Sequence, residues 1–287
     1  MADGRGEGSG MTLQAAPPLA RERNIIVAAL VVLSAAAWAV LIWQAGALEM
    51  AAMGPTMGMT AALFLALWVS MMVAMIFPTE APMIVLFGRV QAQRRSRGDA
   101  YIATSVFVGA YLFVWSASGI LAFLAAIAAE RFAAELGLST GTAARIGGAL
   151  LIMAGLYQLT PLKRACLTHC RTPLSFVMTS WRPGAAGAFR MGLEHGLYCL
   201  GCCWLLFVIL FPLGMMNVAA MAVITLFIFA EKTFPFGRRV MQAGAAILIL
   251  YGAAVLVEPA LLPTFMSGQT MIMPDGSIMV MPEGSSM

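Results

Sequence analysis

Apolar positions gather into long runs along this chain, and polar positions gather between them. The runs fall near residues 25–43, 58–77, 101–128, 143–160, 197–214, 216–231 and 240–262, seven in all. A hydrocarbon core about 30 Å thick takes roughly 20 apolar residues in a helix, so the pattern predicts an all-α, polytopic membrane protein of about seven transmembrane helices. Only "PLGMMN" separates the fifth run from the sixth, which predicts a tight hairpin there. The first run follows Arg21 and Arg23 but is too long for a signal peptide and lacks a small-residue cleavage site, so it is read as a retained helix. The division expected is an N-terminal arm over 1–22, rich in Gly, Ala and Pro, a transmembrane metal-binding domain over 23–262, and a Met-rich tail over 263–287.

Composition agrees with this class: hydrophobic residues make up 61% of the chain, charged residues 10%, and the mean hydropathy is +0.88. In a soluble chain a net charge of +4 and a pI near 9.0 would raise the question of nucleic acid, but here the cations lie between the runs. Fifteen of the seventeen fall on one side of the predicted topology; only Arg131 and Arg145 fall on the other. Lysine and arginine excess marks cytoplasmic loops, which predicts an inner (cytoplasmic) membrane of bacterial type, with the N-terminus inside and the C-terminus outside. Nothing in the sequence points to nucleic acid, and membrane lipid is the first partner.

Soft metal ligands then stand out by position. In "CLTHC", Cys166, His169 and Cys170 stand at i, i+3 and i+4, and in "HGLYCLGCC", His195, Cys199, Cys202 and Cys203 stand at i, i+4, i+7 and i+8. Each set would share one helical face, although Pro161 and Pro173 bracket the first and leave it free to be a loop. These two sets hold every cysteine and both histidines, all on the predicted cytoplasmic side. Cysteine in membrane helices often serves as a small packing residue. Thiolate and imidazole together, however, select Cu(I) or zinc.

Methionine is the third soft ligand, with 23 copies. Most are adaptable fillers. Three groups are more ordered: Met71, Met72 and Met75 on the second run, Met50, Met53, Met57 and Met59 in the loop before it, and the near-duplication "MIMPDGS" and "IMVMPEGS" in the tail. A Met-x-Met pair in extended chain presents both neutral thioethers on one side, and Asp275-Gly276 suits a turn between two short extended segments. Pro78 and Pro82 should kink or break the second helix around Glu80, and a carboxylate at that depth needs a partner. Glu231 and Lys232 sit at a comparable level, either as functional charges or as an interfacial pair. Ala144 and Gly148 have the small-xxx-small spacing of close helix packing.

"WVSMMVAMIFPTEAPM" at 68–83, "YQLTPLKRACLTHCRTP" at 157–173, "GLEHGLYCLGCCW" at 192–204 and "EK" at 231–232 resemble a family of predicted metal-binding integral membrane proteins, over about residues 60–260. The resemblance implies a copper-chaperone-like role, linked to supplying copper to a tyrosinase-type polyphenol oxidase. It carries over to Cys166, His169, Cys170, His195, Cys199, Cys202 and Cys203 and to Met71, Met72 and Met75. No nucleotide loop, nucleophile elbow or acylphosphate motif accompanies these residues, and the chain is not read as an enzyme. The reading is a Cu(I)-binding membrane protein acting in copper delivery or translocation, with a copper-dependent oxidase or a soluble copper carrier as partner. Cys199, Cys202 and Cys203 with His195 would form one site with the Met71 group, and Cys166, His169 and Cys170 a second. Two rivals stand beside it: a membrane thiol-disulfide oxidoreductase using Cys199 and Cys202, and an assembly factor with structural zinc.

Overall fold

The computed structural model describes residues 17–48, 56, 58–98, 102–266, 270–272 and 278–280. Its helices are α1 (Pro17–Leu48), α2 (Ala61–Ser96), α3 (Thr104–Glu135), α4 (Thr140–Gln158), α5 (Pro161–Arg171), α6 (Pro173–Ser180), α7 (Gly184–Val208), α8 (Leu210–Leu213), α9 (Val218–Thr233), α10 (Gly237–Val257) and α11 (Pro263–Met266). Two three-residue strands of the tail, β1 (Thr270–Ile272) and β2 (Ile278–Val280), pair antiparallel with Met271 opposite Met279. This matches two short extended segments; the turn between them, residues 1–16, and Met50, Met53, Met57, Met273 and Met281 lie outside the described residues.

The fold is helical and suited to a membrane. Five helices are long and apolar enough to cross a bilayer, and the count is six where α4 and α5, bent by 64° at their junction, are taken as one span. The sixth of the seven expected runs, now α9, has 16 residues, about 24 Å at 1.5 Å per residue, which falls short of a full crossing by itself.

Three segments depart from the expected bounds, each for a physical reason. Helix α2 continues to Ser96 without a break at Pro78 or Pro82. Pro78 has no N–H for the carbonyl of Ala74, and that oxygen accepts instead from Ser34 Oγ and Trp38 Nε1 of α1, both at 3.0 Å. The helix survives because its neighbour supplies the donors. Helix α7 starts at Gly184 rather than near 197, so His195 and the cysteines lie at mid-helix. Its glycine-rich first half is read as loop by hydropathy. It packs against α3 because glycine lets backbones close: a Cβ at Gly192 would stand 2.8 Å from that of Ala110, and one at Gly196 would stand 3.0 Å from Val114. The "CLTHC" segment is helical, with Pro161 in the first turn and Thr160 capping Lys163 N at 3.2 Å.

Partners along the helices fix their directions. Phe64 meets Phe123, Trp68 meets Gly119, and Phe87 meets Phe107, so α2 and α3 run antiparallel. Phe107 and then Tyr111 meet Gly192 and then Cys199, so α3 and α7 run parallel. Gly148 closes on α10, where a Cβ would stand 2.9 Å from the Gly252 carbonyl, and Ala144, one turn earlier on α4, is buried. Helix α2, touching α1, α3, α6 and α9, thus carries Glu80 into the interior of the bundle.

Candidate metal centre

Five helices each contribute to one buried cluster. Glu80 comes from α2, Tyr111 from α3, Cys170 from α5, His195, Cys199, Cys202 and Cys203 from α7, and Lys232 from α9, all buried. Spacing at i+4 and i+7 or i+8 turns the four α7 side chains to one face, as the sequence predicts.

The sulfur atoms define its middle. Cys170 Sγ lies 3.9 Å from Cys202 Sγ, and Cys202 Sγ lies 3.1 Å from Cys203 Sγ and donates to the Cys199 carbonyl at 3.2 Å. The ligand atoms of Cys170, Cys199 and Cys202 all lie within 4.8 Å of one another. Three points so spaced fit within a circle of radius about 2.8 Å, close to the roughly 2.3 Å of a metal–thiolate bond, so small side-chain shifts suffice for a trigonal sulfur site. Glu80, Cys170 and His195 form an overlapping set under the same limit.

Charge surrounds the sulfur. Glu80 Oε2 pairs with His195 Nε2 at 2.6 Å, and Glu80 Oε1 pairs with the Lys232 ammonium and accepts from Cys199 Sγ at 3.3 Å. Lys232 Nζ also reaches Cys199 Sγ at 3.2 Å, and the Tyr111 hydroxyl lies 3.1 Å from the same sulfur. The Lys232 ammonium is thus shared between a carboxylate and a sulfur, so that a thiolate formed at Cys199 would have a cation beside it. His195 Nδ1 is buried with no hydrogen-bond partner in the structure. One His195 ring nitrogen lies within 4.8 Å of Cys170 Sγ, so the imidazole belongs to a donor set compatible with a soft cation.

A second buried ion pair lies beside this one. Lys163 Nζ binds Glu231 at 2.8 and 3.0 Å and also donates to Gln158 Oε1. Glu231 and Lys232 are therefore not an interfacial pair. They are 1% and 7% exposed, and each is matched by a charge from another helix. Lys163, taken in the sequence as a loop cation, is fully buried.

The structure regroups the predicted ligands. Cys170 joins the α7 cysteines, whereas Cys166 packs over Gly201 and His169 stacks on Tyr198, ring centroids 4.1 Å apart and 4° from parallel. Met71, Met72 and Met75 are buried in the apolar cluster that also contains Cys199, Cys202 and Cys203. Tyr111 was not foreseen. One tyrosine inside an apolar run gives no sign of its partner; only the direction of α3 against α7 brings it to Cys199.

The PpoB2 family, described as a copper chaperone, matches residues 65–255, which contain every residue of this cluster. That is more than half of the chain, and the chain belongs to this copper chaperone family. The family points to a non-catalytic role with a copper-dependent partner, and the thiol, histidine and carboxylate groups are compatible with copper. No curated protein and no solved structure matches the chain.

Proposed function

We propose that the protein holds Cu(I) at the thiols of Cys170, Cys199 and Cys202 and delivers it to a copper-dependent partner. The observation that carries this reading is the convergence of those three buried ligand atoms within 4.8 Å, from two helices, beside an ammonium. Cu(I) favours two or three soft ligands and tolerates burial, and copper is here the cargo. Two bound thiolates leave the ion with one net negative charge and three leave it with two; Lys232 offsets one unit. Cys203, 3.1 Å from Cys202, is an alternate ligand, and His195 is either an added ligand or the group that fixes Glu80. Buried thioethers at Met71, Met72 and Met75 offer neutral, weaker contacts for an ion in transit. Multi-pass helices support a membrane setting, and the distribution of arginines favours an inner membrane with this centre toward the cytoplasmic side.

The test is metal content after anaerobic loading of the detergent-purified protein with Cu(I) or Zn(II), beside Cys170→Ser and Cys199→Ser. Wild type should retain about one Cu(I) per chain in competition with zinc, and each variant should lose most of it. Equal retention by wild type and variants would remove the thiol centre from consideration. Tight zinc with no copper preference would favour structural zinc instead.

A further inference from the structure

We infer that α5 carries a second, surface-reaching exchange station, Cys166 with His169, through which Cu(I) passes from the buried thiols to the thiolates of a soluble acceptor protein. This deepens the proposed function and rests on it.

Soft ligands along the α5–α7 seam are graded in exposure. Cys199 is 0% exposed and Cys202 is 1%, Cys170 is 7%, and Cys166 and His169 are partly exposed. Helix α5 turns by 64° from α4 and lies along α7, and its open side bears Arg164 and Thr168 beside Leu162, a surface suited to headgroups and water rather than hydrocarbon. Cys170, which closes the buried trio, and Cys166 stand one turn apart on this single element. An ion leaving the trio along α5 therefore meets Cys166 next.

His169 is held ready for such a role. Its Nδ1 lies 3.0 Å from the Ala165 carbonyl, an oxygen that only accepts, so in the neutral ring Nδ1 is the donor and Nε2 is the nitrogen left to meet a metal. Stacking on Tyr198 fixes the ring plane. Cys166 lies close against α7 because residue 201 is glycine; a Cβ there would stand 2.8 Å from Cys166 Sγ. At i and i+3 the two side chains have Cβ atoms about 5–6 Å apart, near enough to share an ion. Two ligands leave Cu(I) a coordination position open to an incoming thiolate.

The transfer is ligand exchange without change of oxidation state. The Cu–S bond to Cys170 breaks as one to Cys166 forms, and the acceptor's thiolate then displaces Cys166. Each thiolate released takes up a proton, and each thiol that binds gives one up.

The experiment uses the full chain in detergent, loaded anaerobically with Cu(I) and challenged with a peptide bearing a Cys-x-x-Cys pair. Copper per chain is measured before the challenge, and its rate of appearance on the peptide afterwards. Cys166→Ser/His169→Gln should start with the wild-type copper content and transfer at least about tenfold more slowly. Gly201→Ala, which keeps both ligands but displaces the Cys166 thiol, should slow transfer in the same direction. A transfer rate equal to wild type in the double variant overturns the exchange station. So does loss of copper before the challenge, which would place both residues in the resting site. Wild type that binds no Cu(I) at all defeats the proposed function itself, and the station with it.

Discussion

Glu231 and Lys232 are adjacent in sequence, yet their charges enter two different centres. Glu231 meets Lys163 and Gln158, a set in which the carboxylate takes an ammonium and that ammonium also takes an amide oxygen. Lys232 meets Glu80 and Cys199, a set that continues into three more cysteines and ends on a histidine nitrogen with no partner. The first centre is closed by the protein. The second is open, with more acceptor and ligand capacity than the described residues satisfy. Burial is common to both centres; what differs between them is completeness of pairing.

The strongest way to break this distinction is to remove one charge from the closed centre. Lys163→Ala leaves Glu231 buried and unpaired, which should cost about 3–5 kcal/mol and lower resistance to denaturing detergent sharply. Lys163→Met with Glu231→Leu removes both charges and should recover most of that loss while copper content stays at the wild-type level. If the double replacement folds but no longer binds copper, the two centres are one.

Next in size is the open centre. Lys232→Met removes the cation against Cys199 while keeping volume, and Cu(I) affinity in a competition titration should fall about 10- to 100-fold. Stability should fall too, because Glu80 keeps only His195 and the Cys199 thiol as partners. A loss of stability with unchanged copper affinity would make Lys232 another structural cation.

How much of this was readable beforehand follows the same division. Apolar runs and the Ala144–Gly148 spacing are local: each run holds a helix, although α2 and α7 extend well beyond theirs, and Gly148 does pack closely on a neighbour, which turns out to be α10. Glu80 between two prolines and the cysteine face of α7 were likewise visible as anomalies. What could not be read was which helix answers each anomaly. Cys170 shares a five-residue motif with Cys166 and His169, but it is the α5 axis across α7 that sends its thiol to Cys202 and leaves the other two outside. Lys163 sits among arginines in a stretch that looks like an ordinary cationic loop, and only Glu231, 68 residues on, makes it a buried charge. The rescue of the Ala74 carbonyl by Ser34 and Trp38 is of the same kind, because the deficit is local and the remedy lies on another helix.

The smallest effect expected is also the most diagnostic of an open centre. Tyr111 touches Cys199 through one hydroxyl at 3.1 Å, while its ring packs in the core near His195, centroids 6.0 Å apart. Tyr111→Phe removes the hydroxyl and keeps the ring. One such hydrogen bond is worth about 1 kcal/mol, so Cu(I) affinity should change by roughly fivefold if the hydroxyl donates to a bound thiolate. Resistance to denaturing detergent should barely move, since the thiol left behind retains Glu80 and Lys232. The opposite result, lower stability with copper affinity intact, would mean that the hydroxyl and thiol exist to satisfy each other. In that case the sulfur cluster would be as closed as the pair formed by Lys163 and Glu231, and the contrast between the two centres would fail at its most sensitive point.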